Sequence, residues 1–338
     1  MTSRELVKNT LEFKNKLDRV PRDMWHLPWA VQHHEDMVKR IKRDFPNDIG
    51  GVFVELRIPP QTKGDPYAIG EYVDEWGCKF KNIHRGVIGE VKEPLIPVDD
   101  YDWDYAENIH IPKELLSFDI DQVNSECEKT DRFMISGCCP RPFEQLQFIR
   151  GTENLYIDLL DMPKKMINFM DRMHDYYCRL MIKWAKTDVD ALQFMDDWGS
   201  QKSLLINPSL WCAIFKPMYK DYIEIAHSYN KKIFMHSDGY TLDIIPHLIK
   251  LGLDAINCQI FCMGVENLKQ FRGKITFWGE IDRQNLLPNG TLAEIENAVK
   301  LVYDNLWDNG GCIAQLEFGP GANPDNVYKV FETWAKLC

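Results

Sequence analysis

In the second half of the chain, side chains able to bind metal or move protons recur where apolar runs end. The run KKIFM (231–235) stops at His236-Ser237-Asp238-Gly239. An imidazole and a carboxylate two residues apart share one side of an extended chain. Gln315 and Glu317 stand in the same relation in CIAQLEF, as do Glu280 and Asp282 in ITFWGEID. DALQFMDDW closes on Asp196, Asp197 and Trp198, and DAINCQ on Asn257, Cys258 and Gln259. One imidazole from His236 with carboxylates from Asp238 and Glu317 makes three protein ligands and an open fourth position, the pattern of a catalytic zinc. Cys258 and Cys262 are softer donors nearby, although a buried cysteine is more commonly plain core. Without a metal the same residues have simpler uses: Asp238 caps a helix, His236 is a hydrogen-bonded interior residue and Glu317 pairs with an arginine. Asp196, Asp197, Glu280 and Asp282 are the acid–base candidates, with one of the two adjacent aspartates touching substrate. Trp25, Trp198, Tyr240, Asn257 and Gln315 are candidate substrate contacts.

These residues need elements that bring strand ends together. From about residue 131 strand-like runs alternate with helix-like ones, which predicts βαβ units and a parallel sheet. The helix starts are marked by Asn207-Pro208, Thr291 with Glu294, and Asn323-Pro324, and Gly252 marks a helix end. The strands are almost continuously apolar, as when helices cover both faces of the sheet. No strand is followed by a GxGxxG or GxxxxGK[ST] loop, which weakens the case for an open nucleotide-binding sheet. Polar clusters at the C-terminal ends of successive strands point instead to a (β/α)8 TIM barrel. The expected organisation is a single domain over 1–338. A helical segment, 1–50, covers a barrel that runs over 51–338. Its first strand is GVFVEL (51–56), and a long excursion follows over about 59–112.

Bulk properties narrow the partners. The net charge is −11 over 338 residues, which argues against nucleic acid and anionic membrane surfaces. No run approaches the roughly 18 apolar residues of a membrane span, and the opening MTSRELVKNTLEFKNKLDRV is too charged for a signal peptide. The ten cysteines are scattered without a CxxC pair, as expected of reduced thiols in a cytoplasmic protein. Arg57 and Arg141 follow strands and are candidates for an anionic ligand, with surface salt bridging as the default. His26, His33 and His34, near Trp25 and Trp29, are candidates for an aromatic lid, or for an ordinary hydrophobic patch.

The segments FMDDWGSQKSLLINPSLWCAIFKPMYK, IFMHSDGYTLDIIPHLIKLGLDAIN, FWGEIDRQNLLPNGT and LEFGPGANPDNVYKVFE, with EYVDEWGCKFKN upstream, resemble in order and spacing the uroporphyrinogen decarboxylase superfamily, which includes corrinoid-dependent and coenzyme M methyltransferases. The resemblance spans roughly residues 50–338 and implies a single TIM barrel. It departs from the decarboxylases in two places. Their arginine-rich N-terminal segment corresponds to VPRDMWHLPWAVQHHED, with Arg22 alone, and their C-terminal histidine segment corresponds to Gln315-Leu316-Glu317-Phe318-Gly319. It is closer to the methyltransferases, whose His-x-Cys zinc motif falls on His236-Ser237-Asp238, with Asp238 in place of cysteine and Glu317 near the distant cysteine. A His/Asp/Glu set is harder than one with thiolates and suits polarising an oxygen. The implied activity is removal of a methyl group from a small methoxylated compound, aromatic ones included, with zinc as metal and cobalamin or another corrinoid on a partner protein as acceptor. A metal-free tetrapyrrole decarboxylase and a non-catalytic corrinoid-binding module are the alternatives, and a homodimer is admitted by analogy.

Overall fold

The computed structural model describes residues 1–16, 19–137 and 139–337, so Cys138 and Cys338 lie outside it. Among these residues the strands in chain order are β1 (Arg22–His26), β2 (Ile49–Gly51), β3 (Gly70–Val73), β4 (Lys79–Asn82), β5 (Glu90–Glu93), β6 (Phe133–Ile135), β7 (Ala191–Met195), β8 (Lys232–Ser237), β9 (Ala255–Cys258), β10 (Thr276–Trp278) and β11 (Cys312–Phe318). Eight of them form one parallel sheet in the order β1-β11-β10-β9-β8-β7-β6-β2. Asp48 and Asn47 close the seam between its outer strands. The Asp48 N–H donates to the Arg22 carbonyl (2.8 Å), its carboxylate accepts from the Arg22 N–H (2.8 Å), and the Met24 N–H donates to Asn47 Oδ1 (2.9 Å). The result is the expected (β/α)8 barrel with helices outside.

The alternation of each strand explains its nearly unbroken apolar sequence. Ile49, Phe133, Ile135, Ala191, Phe234, Ala255, Trp278 and Ile313 point into the barrel and make an inner core. Their neighbours Leu192, Phe194, Ile233, Met235, Ile256, Phe277 and Leu316 point outward into the larger core under the helices. Val7 and Leu11, from the helix Ser3–Leu11, complete the inner core from the N-terminal end of the strands. That helix is fixed by a capping box: Thr2 accepts from the Glu5 N–H, and Glu5 accepts from the Thr2 N–H. Thr291 and Glu294 repeat the device at Leu292–Leu306, Asn207 and Asn323 cap the helices that begin at Pro208 and Pro324, and Gly252 ends Ile245–Leu251 at φ +93°.

The N-terminal segment differs from expectation. Arg22–His26 is a barrel strand, paired along its whole length with β11, so the excursion follows the second strand. RDMWH escapes a periodicity reading because its inward residues, Asp23 and Trp25, both carry polar atoms. Of GVFVEL only Gly51 belongs to β2, and Phe53 is exposed. The excursion folds into an antiparallel sheet, β3-β4-β5. Its turn is built on buried Asp74, which accepts from the N–H groups of Trp76 (3.0 Å) and Cys78 (2.7 Å). Trp76 packs against Tyr176 and Tyr177, and Phe80 against Phe148. No helix among the described residues is long and apolar enough to cross a membrane, and none of the described cysteines forms a disulfide.

Leu11 sits at the closed end with no polar group to replace its contacts. Leu11→Ala is expected to lower unfolding stability by about 2–4 kcal/mol, as read by urea denaturation; a change below about 0.5 kcal/mol would show that the helix does not stopper the barrel.

Candidate active site

The C-terminal ends of the strands open on a cavity of about 870 Å³, lined among others by Trp25, Gln193, Met195, His236, Asp238, Arg283, Gln284 and Glu317. His236, on β8, is its best-defined member. Its neighbour in the ladder is Asn257 of β9, and His236 Nδ1 lies 2.5 Å from Asn257 Oδ1. An amide oxygen only accepts, so Nδ1 carries the proton. Asn257 is held in turn: its Nδ2 donates to Gln315 Oε1 (2.9 Å) and to the Trp278 carbonyl. Gly279 is required beside this chain. Its φ is +78°, and a Cβ there would fall 1.9 Å from Gln315 Oε1. Thus Asn257 and Gln315 orient the imidazole from below.

The other imidazole nitrogen, Nε2, faces two carboxylates, Asp197 Oδ1 at 3.5 Å and Asp238 Oδ1 at 3.8 Å. Their approach comes from two interlocked loops. The Asp196 N–H donates to the His236 carbonyl (3.1 Å), the Trp198 N–H to Ser237 Oγ (3.1 Å), and the Gly199 N–H to the Asp238 carbonyl (3.1 Å). The Asp238 N–H returns to Asp197 Oδ1 (2.9 Å). Gly199 and Gly239 touch backbone to backbone, and a Cβ on either would come within 2.0 Å of the other loop. Burial pulls the His236 pKa down, but Asp197, Asp238 and the Asn257 hydrogen bond outweigh it and hold the pKa above the usual value.

Arg283 supplies the permanent positive charge. It hydrogen-bonds Asp238 Oδ2, and its Nη1 lies 3.4 Å from Glu317 Oε1 and 3.6 Å from Glu280 Oε1. Burial opposes the charge of Arg283, but the three carboxylates favour it. Glu280 is buried and neither of its oxygens accepts a hydrogen bond from a described residue; burial pushes its pKa up to about 7 although Arg283 pulls against it. Beneath the cavity floor, Asp23 accepts from Trp25 Nε1 (2.9 Å), Trp278 Nε1 (3.0 Å) and Asn47 Nδ2 (3.0 Å). Burial raises it to about 7 as well, against the two indole hydrogen bonds.

Several expected residues lie elsewhere or act differently. Asp196 is wholly buried: it accepts from the Glu144 N–H (2.8 Å), near the start of the helix Pro142–Arg150, and from Tyr219 Oη (2.5 Å). Asp197 is therefore the member of the pair beside His236; it lines an adjoining cavity with Arg141, Glu144 and Met195. Trp198 turns away, stacking on Phe143 at 4.1 Å and donating to Tyr219 Oη, and Tyr240 is not among the lining residues. Asp282 accepts from the Gln284 and Asn285 N–H groups and so holds a turn. Cys258 is buried in the core, with its thiol pKa raised by burial. Arg57 pairs with exposed Asp119, and Arg141 pairs with Glu144 at 3.4 Å. Trp29 stacks on His33, and His34 on Phe318.

The expected metal set changes by one member. The ligand atoms that lie within 4.8 Å of one another belong to Asp197, His236 and Asp238; Glu317, expected as the third ligand, faces Arg283. The revised set still fits a divalent cation. Its donors are two carboxylates and an imidazole, Nε2 keeps its lone pair when Nδ1–H donates to Asn257 Oδ1, and Asp238 gives one oxygen to Arg283 and turns the other toward His236. Arg283 and Asp23 escaped the sequence reading. Arg283 follows Glu280 by three residues in GEIDR, a spacing that in hindsight places a cation within reach of the acidic strand ends.

Two predictions follow from the buried carboxyls. Asp196→Ala strands two buried donors and is expected to cost about 2–4 kcal/mol of stability, whereas Asp197→Asn stays within about 1 kcal/mol; equal losses in denaturant titration would contradict the different placements. Asp23 holds its proton to about pH 7 in the fold but loses it near 3.8 when unfolded. Between those values the native state binds the extra proton, so stability from this group falls as pH rises from about 4 to about 7. Asp23→Asn is expected to remove that slope, which is on the order of 4 kcal/mol at most; an unchanged stability–pH curve would show that Asp23 is ionised throughout.

The sequence profile of the uroporphyrinogen decarboxylase (URO-D) family matches residues 73–337. No curated protein matches the chain in sequence. Among solved structures, a methyltransferase from Methanosarcina mazei superposes with a TM-score of 0.68 at 14% identity, over 100% of this chain and 99% of that one. A 3-keto-D-glucoside 4-epimerase from E. coli reaches 0.41 at 12% identity, over 67% of this chain and 87% of that one, too slight a likeness to bear on function. The first shares the fold over the full chain, and the profile covers well over half of the sequence: the chain belongs to the uroporphyrinogen decarboxylase family.

Proposed function

We propose that the chain is a methyltransferase that takes a methyl group from an oxygen of a small methoxylated compound and passes it to the cobalt of a reduced corrinoid on a separate protein. The observation that carries this reading is the His236 constellation. An imidazole fixed from behind by Asn257 lines a wide cavity together with Asp238, and its free nitrogen also meets Asp197 from the adjoining one. The reaction needs one proton. The C–O bond breaks, the cobalt–carbon bond forms from the cobalt(I) electron pair, and the departing oxygen takes a proton to leave as an alcohol or phenol. His236 is the group to deliver it at Nε2, because Asp197 and Asp238 favour its charged form. If instead a divalent ion is bound, Asp197, His236 and Asp238 are the residues that would hold it; Nε2 would then carry no proton, and the ion would supply Lewis acidity toward the same oxygen in its place. Trp25, whose ring centroid lies 5.7 Å from that of His236, offers a face to an aromatic donor.

Charge also speaks against a porphyrinogen substrate. Among the residues lining the cavity Arg283 is the one arginine, and it already faces Asp238 and Glu317. A substrate bearing many carboxylates would meet a surplus of negative charge. An inert binding module has no use for a carboxyl such as Glu280, buried without a hydrogen bond.

The test is to mix the chain with cob(I)alamin and methoxylated, methylamine and thioether donors and to follow the cobalamin spectrum, with metal content measured alongside. Conversion to methylcob(III)alamin is expected with a methoxylated donor, and His236→Ala is expected to slow it roughly 100-fold or more. Transfer from amines or thioethers alone, or full activity in His236→Ala, would overturn the reading.

A further inference from the structure

A second constellation of ligand-type side chains lies on the outer helices, away from the barrel mouth. His174 and Cys178 are one turn apart on Lys164–Ala185, and Asp221 faces them from Pro208–Ser228. His174 Nε2 lies 2.9 Å from Asp221 Oδ2 and 3.6 Å from Cys178 Sγ. One ligand atom from each of the three falls within 4.8 Å of the others.

The arrangement differs from a nucleophile–base–acid relay, in which thiol and carboxylate sit on opposite nitrogens of the imidazole. Here the carboxylate meets Nε2, and the thiol lies beside the ring, 3.6 Å from that nitrogen and 4.0 Å from the opposite one. That opposite nitrogen, Nδ1, lies 3.2 Å from the hydroxyl of Tyr222, a buried residue on the second helix. The carboxylate only accepts, so without an ion Nε2 carries the proton; an ion taking that proton's place, with Nδ1 then donating to the Tyr222 hydroxyl, gives the usual posture of a metal-binding histidine. The Nε2–Sγ separation of 3.6 Å is close to the ~3.5 Å set by zinc–nitrogen and zinc–sulfur bonds of about 2.0 and 2.3 Å at a tetrahedral angle.

We propose that His174, Cys178 and Asp221 form a second metal site, for a zinc-type divalent transition ion, that clasps these two long helices together. The thiolate sets the chemical class: magnesium and calcium take oxygen donors, whereas a nitrogen, a sulfur and an oxygen suit zinc or cobalt(II). Asp221 is half exposed, so the fourth position opens to water. Binding displaces the Cys178 thiol proton, and the His174 proton moves from Nε2 to Nδ1, where the Tyr222 hydroxyl accepts it in a hydrogen bond.

Cobalt(II) is the probe, titrated into the full chain after chelator treatment. The mouth set of Asp197, His236 and Asp238 contains no sulfur, but Cys139 lines the same cavity, so a thiolate-to-cobalt charge-transfer band is assigned to the helix site by its loss in Cys178→Ser. One equivalent of cobalt is expected to give that absorption with a tetrahedral visible spectrum. Cys178→Ser should abolish it, while His236→Ala, Cys258→Ser and Cys262→Ser keep it. Tyr222→Phe should keep the band but weaken binding about tenfold. Should Cys178→Ser not fold, Asp221→Asn, at the exposed rim, carries the test: affinity at least tenfold weaker supports the site, and unchanged affinity overturns it. A wild-type spectrum without thiolate absorption, or one unchanged in Cys178→Ser, also overturns it.

Discussion

Four carboxyl groups, from Asp197, Asp238, Glu280 and Glu317, crowd one end of a barrel whose walls exclude most water, and Arg283 is the permanent counter-charge among them. Burying like charges together is costly unless a cation is placed within reach. Arg283 reaches three of the four and leaves Asp197, together with one oxygen of Asp238, to the imidazole of His236. The division separates two environments a few ångströms apart. In one a guanidinium lies among three carboxyl groups; in the other a titratable imidazole faces two. Glu280, buried with no hydrogen bond of its own, is the group on which the balance is least complete, and its pKa rises accordingly.

The family bond and the proposed chemistry meet at this division. A barrel of this kind can host many reactions, and the reaction follows from the groups at its mouth. With thiolates at the motif the site would favour soft partners. With Asp238 there, and Asp197 brought beside it by the contact of Gly199 with Gly239, it is hard and acidic. Carboxylates that favour a charged imidazole over a roomy cavity support proton delivery to oxygen better than they support gripping a polyanion.

Much of the barrel was legible because apolar runs, caps and polar strand ends agree with one another. His236, Asp238 and Glu317 stand at the mouth, and Asn257 and Gln315 lie buried beneath them, because each lies on the inward side of a strand end, and period two is enough to find that side. What stayed hidden depends on contacts between distant segments. Nothing in RDMWH announces a strand, since its pairing is made entirely with β11, nearly 300 residues away. Asp196 and Asp197 cannot be told apart in sequence. Only the position of Tyr219 and of the helix Pro142–Arg150 shows which one is consumed by structure. The partner of Glu317 was foreseen in kind, as an arginine, but not identified as Arg283, because that loop's path is set by the neighbouring strands.

The stopper formed by Val7 and Leu11 makes the barrel a blind well with its opening at the opposite rim. Whatever reacts there enters and departs by one door. For a reaction between a small molecule and a cofactor borne by another protein, traffic then acquires an order. On the proposed reaction the small partner would go in first, the large one would settle over the rim as a cork, and the spent product would wait until the cork lifts. A geometry set by two aliphatic side chains at the far end thereby dictates a sequence of arrivals at the near one.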